Sequence, residues 1–211
     1  RDTITTELNV LGDFDPIIPD HWKSPDYVML GNLSPEVQLK TLERIEKRPK
    51  LVVMDTMNFW MDIALDTLHQ VIAKVDVLTI NDEEARQLSG EYSLVKAARK
   101  IQAMGPKYLI IKKGEHGALL FGEDGETFFC PALPLEEVFD PTGAGDTFAG
   151  GFIGYLAQQD RTDFEAIKKA VVYGSAMASY CVEKFGTERL QSLDEAQLNE
   201  RLNQFDRLMS L

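Results

Sequence analysis

Cysteine is scarce in this chain. Cys130 and Cys181 are the only two in 211 residues, far apart, in apolar surroundings and without C-x-x-C spacing. They read as reduced, buried thiols of a cytoplasmic protein rather than as a disulfide framework. His21, His69 and His116 are isolated from one another and from both cysteines, so none is assigned a metal. Long apolar runs are missing as well: no stretch approaches the length of a membrane span, and none reads as a signal peptide. Basic charge is in deficit, with 22 Lys and Arg against 34 Asp and Glu and a net charge of -12. An extended nucleic-acid interface is thereby disfavoured, while a nucleotide site needing only a few local donors is not. Repeats, low-complexity tracts and linkers are absent, so residues 1–211 are expected to form one domain.

What is present is a chain 44% hydrophobic, enough for a packed α/β core. Tyr27–Leu30, Leu51–Met54, Val75–Ile80 and Tyr108–Ile111 are short apolar runs of the kind buried in parallel sheets. Ser34-Pro35-Glu36 opens a helix reaching about Lys47, and Ser93 can cap another that ends at Gly105. The β-α-β-α rhythm predicts a parallel sheet with helices on its faces. Ala118–Phe121 and Thr127–Cys130 flank a glycine-bearing turn and predict a hairpin. From residue 142 on the pattern is helical, over 144–158, 163–184 and 193–209, the last with a capping box at Ser192 and Glu195. Residues 3–10 alternate threonine with apolar side chains and read as an edge strand. The chain opens on Arg1-Asp2-Thr3 rather than on methionine, which suggests residues ahead of it.

Three motifs carry chemistry, each directly after or near the end of an expected strand, where ligands of open α/β sheets bind. Asp140-Pro141-Thr142-Gly143-Ala144-Gly145-Asp146 puts small residues at a turn where a helix begins, with a carboxylate beside it. Such a turn lets backbone N–H groups approach an anion, helped by the helix dipole. Tight packing alone, through Gly150, Gly151 and Gly154, does not account for two acids six residues apart around Gly-Ala-Gly. Asn81-Asp82-Glu83-Glu84 opens a helix, and plain N-terminal capping explains it as well as a role in holding hydrated Mg2+ through Glu84 and a phosphate through Asn81. Lys112-Lys113-Gly114-Glu115-His116-Gly117 holds two glycines that suit either a nucleotide approach or an ordinary turn. A G-x-G-x-x-G fingerprint with a following acid is missing, which disfavours a dinucleotide-dependent oxidoreductase.

Together these residues resemble the PfkB (ribokinase-like) family of carbohydrate and nucleoside kinases. Asp140–Asp146 matches its D-x-x-G-A-G-D signature, Asn81–Glu84 its N-x-x-E motif, and the glycine turn at 114–117 falls between them in the family's order. The resemblance implies a three-layer α/β sandwich on a mostly parallel sheet, with residues 1–15 as the remnant of a lid strand. It implies ATP-dependent phosphorylation of a hydroxymethyl group on a sugar or nucleoside, with Asp146 as the base that also touches the acceptor. The amides of Gly143, Ala144 and Gly145 would form the anion hole. Asn81 and Glu84 would organise phosphates and Mg2+ through water, and Gly114 and Gly117 would line the nucleotide groove. Lys112 stands at a position often polar in such kinases, and Ser175 falls near the adenine pocket. Many relatives bind a monovalent cation such as K+. Asp140 and the Thr142 carbonyl match that site, which the carbonyls of Cys181, Lys184 and Gly186 would complete, although Leu190 replaces a hydroxyl residue there.

The family's N-terminal sugar signature and most of its lid have no counterpart in the chain. Asn32 is then the nearest candidate for contact with the acceptor, followed by Asp55 and Asn58, and turn or cap hydrogen bonding explains each equally well. Relatives often dimerise through the lid, which leaves a homodimer open. The rival expectation is a catalytically silent nucleotide- or sugar-binding protein on the same scaffold. No nucleic-acid or membrane partner is expected.

Overall fold

The computed structural model describes residues 6–210. Six strands form one sheet in sequential order. These are β1 (Tyr27–Leu30), β2 (Leu51–Asp55), β3 (Val77–Asn81), β4 (Tyr108–Lys112), β5 (Ala118–Phe121) and β6 (Thr127–Cys130). The first four run parallel, and the β5–β6 hairpin adds two antiparallel strands at one edge. β2 is buried along its whole length and β3 and β4 all but their last residue, as continuous apolar runs between two helical layers require.

Side-chain alternation divides the core in two. Leu51, Val53, Tyr108 and Ile110 face α6 (Ala144–Gln159), α7 (Phe164–Cys181) and α9 (Glu195–Met209). Val52, Met54, Leu109 and Ile111 face α1 (Pro35–Glu43), α2 (Asn58–Ile63), α3 (Leu65–Ile72), α4 (Asp82–Ser89) and α5 (Leu94–Gln102). The three-layer α/β sandwich expected from the sequence is therefore present. Short α8 (Glu188–Gln191), which the sequence reading lacks, lies between α7 and α9.

The direction of α6 decides where the site lies. Asp160, just past its C-terminus, accepts hydrogen bonds from Lys50 Nζ at 2.6 Å and Tyr27 Oη at 3.0 Å. Both donors stand where β2 and β1 begin, so the N-terminus of α6 points to the carboxyl ends of the strands. Close approach to α7 fixes the helix in the other direction. A Cβ on Gly174 would stand 2.6 Å from the Phe148 carbonyl oxygen, and one on Gly151 would stand 2.9 Å from Met177 Cγ. Gly150 and Gly154, read from the sequence as packing residues, have nothing within 4 Å of such an added Cβ.

Other local expectations are corrected too. The N-terminal strand falls partly on residues 1–5, outside the described residues. Over 6–15 no strand forms: Asn9 takes φ 49°, outside the extended region, within a 3-10 turn at Asn9–Leu11, and Val10 is 85% exposed. Ser192 does not cap α9, because it ends α8, donating its hydroxyl to the Arg189 carbonyl. The capping box belongs instead to Asp194 and Gln197. Ser93 precedes α5 without a side-chain cap. Ser34 does cap α1, accepting from the Val37 amide at 3.3 Å.

Candidate active site

Asp140 begins the glycine turn by accepting the Thr142 amide at 3.0 Å, a local bond that bends the chain into α6. Gly143 follows with φ 82°, in the left-handed region that a side chain disfavours. The Thr147 amide closes the first helical bond onto the Gly143 carbonyl at 2.9 Å. A helix start leaves its first amides without intrahelical acceptors, which is the basis of an anion hole. Of the three amides expected to form such a hole, that of Ala144 is turned back to the Pro141 carbonyl at 3.2 Å.

Asp146 lies in that first turn and is exposed, with no side-chain hydrogen bond or ion pair among the described residues. Phe148 and Ala149 behind it are buried, so the helix is anchored while the carboxyl group faces outward. A core-directed carboxylate would have been unable to meet a substrate.

Asn81 and Glu84 form the reciprocal box that capping predicts. The Asn81 Oδ1 accepts the Glu84 amide at 2.8 Å and Glu84 Oε2 accepts the Asn81 amide at 2.7 Å. Capping alone does not describe Glu84, however. It is 7% exposed, and burial pushes its carboxyl group up to about 7. The Asn81 amide and the Lys112 charge work against that rise, and Asp55 and Glu83 add to it.

Lys112 brings the motifs together. It ends β4 in register with Asn81, and its Nζ lies 2.9 Å from Asp55 Oδ2 at the end of β2. A Cβ on Gly145 would stand 3.4 Å from the same Nζ, so the ammonium group lies beside the glycine turn. Asp55, one of the sequence candidates for contact with the acceptor or for local turn bonding, has its carboxylate bound by Lys112 Nζ and by the Thr56 amide, each at 2.9 Å. The one sequence signal for this role is an acid closing an otherwise apolar, fully buried strand.

The remaining candidates divide. Gly114 has φ 56° and open space about it, whereas a Cβ on Gly117 would stand 2.1 Å from the Cys130 carbonyl oxygen. Gly117 is thus required by packing at the exit of β6, whatever else passes it. Ser175 is half-buried on α7 and accepts from Cys130 Sγ at 3.6 Å, burial having pushed that thiol up to about 11. Asn32 uses Oδ1 to accept the Trp60 indole N–H at 2.9 Å, a structural bond between the β1 exit and α2. For the cation, Cys181 Sγ lies 3.7 Å from the Thr142 carbonyl oxygen and 4.0 Å from that of Gly186. A thiol donor therefore faces two of the carbonyls that the resemblance offers to K+ and competes with the ion for them. Among the described residues no three or more His, Cys, Asp or Glu gather as a metal cage, and no helix is long and apolar enough to cross a membrane.

The chain is 35% identical over 144 residues to the cytidine kinase of Thermococcus kodakarensis, a match covering 65% of this chain and 50% of that protein. The crystal structure of aminoimidazole riboside kinase from Salmonella enterica, complexed with aminoimidazole riboside and an ATP analogue, superposes with a TM-score of 0.70 at 24% identity. That match covers 85% of this chain and 63% of the other. Ribokinase from Thermotoga maritima gives 0.66 at 26% identity, covering 84% and 57%. The chain thus spans about half the length of the cytidine kinase and less than two thirds of either structure. The sequence pattern of the pfkB family carbohydrate kinases matches residues 13–193 and so takes in both the capping box at Glu84 and the glycine turn at Asp146; the chain belongs to that family.

Proposed function

We propose that the chain is the nucleotide-binding and catalytic portion of an ATP-dependent kinase acting on a hydroxymethyl group of a sugar or nucleoside. The observation that carries this reading is the exposed Asp146 carboxylate, without a side-chain partner among the described residues, in the opening turn of α6, whose Gly145 lies beside the Lys112 ammonium group. Phosphoryl transfer depends on alignment and charge stabilisation more than on covalent chemistry, and these groups supply both.

Asp146 takes the proton of the acceptor hydroxyl at its carboxylate, and the first amides of α6 stabilise the charge on the transferred group. The chemistry of the donor set suits Mg2+, which prefers one or two carboxylates with water and phosphate oxygens. Glu84 is an acid whose pKa is raised mainly by its burial, and Asn81 stands beside it. Bound there with the nucleotide, Mg2+ would supply charge neutralisation of the phosphates. The exposed Gly114 turn and the α7 face carrying Ser175 are the proposed sides of the nucleotide groove.

A silent binding protein on the same fold is the second reading, favoured by Asn32 being bound to Trp60. Measuring ATP consumption against cytidine, aminoimidazole riboside, ribose and fructose phosphates separates the two. Acceptor-dependent ADP release supports the kinase; nucleotide binding without turnover on any acceptor supports the silent protein.

A further inference from the structure

The Asp55–Lys112 pair is unusual for its place. The side chains are 9% and 20% exposed, on two strands that are not neighbours, with β3 between them. Pairs this buried add little net stability, because desolvation offsets most of the attraction. The lysine stem leaves an apolar strand, and its head emerges at the carboxyl end of the sheet. There it lies beside Gly145, where an added Cβ would be in van der Waals contact with it at 3.4 Å. An ammonium group beside the start of α6 adds positive charge to amides that are themselves partly positive. Without a counter-charge that arrangement is unfavourable, and Asp55 provides one. Thr56, the next residue and 4% exposed, has a hydroxyl without a partner among the described residues, so this end of β2 holds polar capacity that the protein does not use.

We propose that Asp55 is the positioning residue that holds the Lys112 ammonium group beside the glycine turn, where Lys112 binds the terminal phosphoryl group of a nucleoside triphosphate and so distinguishes it from a diphosphate. The inference rests on the kinase reading above and sharpens it. Lys112 is the ligand; Asp55 acts only through it. A structural pair would steady the fold without regard to the number of phosphates. A positioned ammonium group favours the additional, more highly charged phosphoryl group.

The test is calorimetric titration of the full chain with MgATP and MgADP, reading the ratio of the two dissociation constants. That ratio cancels effects common to both nucleotides. Lys112→Met is expected to reduce the preference for ATP by about tenfold while ADP affinity stays within about threefold. Asp55→Asn is expected to reduce the preference by a similar factor in the wild-type background. In the Lys112→Met background it should change it by less than about twofold, since Asp55 then has nothing to position. The double variant removes both charges and leaves no buried ion unpaired, so it remains informative if a single variant fails to fold. A double variant with the wild-type ratio overturns the assignment. So does an Asp55→Asn effect that is equally large with and without Lys112. A wild-type chain that binds neither nucleotide overturns the kinase reading and this inference together, whereas binding of both with an unmoved ratio overturns this inference alone.

Discussion

Asn81 and Glu84 each accept the other's backbone N–H, at 2.8 and 2.7 Å, and this box holds a carboxyl group that is 7% exposed. The consequence is a stability that depends on pH. The Glu84 pKa rises from 4.5 to about 7 on folding, mainly through burial. With the folded value above the unfolded one, the native state holds a proton that the unfolded chain releases. The contribution is complete below pH 4.5 and is lost as pH rises through about 7. Its size is on the order of 3 kcal/mol.

Glu84→Gln keeps an oxygen for the Asn81 amide and removes the charge. Urea denaturation should show the variant more stable than wild type by up to about 3 kcal/mol near pH 8, with the difference closing toward pH 5. The same substitution should raise the Mg2+ concentration needed for turnover. Equal stability gains at both pH values, or an unchanged metal titration, would contradict the role given to this carboxylate.

Gly174 and Gly151 bring α6 and α7 together, whereas Gly154 faces open space. Gly174→Ala would press its Cβ onto the Phe148 carbonyl and should cost about 1–3 kcal/mol. Gly154→Ala, in a helix interior without a neighbour, should be neutral or stabilising by up to about 1 kcal/mol. Denaturant midpoints of the two variants check this contrast, and its reversal would show that the α6–α7 contact is wrongly described.

The Cys181 thiol facing the carbonyls of Thr142 and Gly186 leads to an expectation about salts. At constant ionic strength, exchange of K+ for Na+ should alter the rate by less than about twofold and leave the melting midpoint unmoved, since an ion that bound the folded chain would raise it. A midpoint several degrees higher in K+ would restore the cation site.

The sheet was legible because buried parallel strands need continuous apolar runs, and β1, β5 and β6 begin and end where those runs do. The glycine turn was legible for a similar reason: small residues, a helix start and two acids have few joint uses. The pairing of Asp55 with Lys112 was not, since it joins residues 57 apart across an intervening strand and depends on which way two strand ends project. Asp194 displaced Ser192 as a cap because α8 had already used the serine, a competition that local spacing does not reveal. The alternation in residues 6–10 suited a strand, but no described neighbour pairs with it, and the chain turns at Asn9 instead.

The central claim is that the Asp146 carboxylate removes the acceptor proton, and a single comparison tests it most directly. Acceptor-dependent ADP release should fall by at least about a hundredfold in Asp146→Asn, while the ATP dissociation constant stays within about threefold of wild type. Turnover of that variant near the wild-type rate would contradict the account.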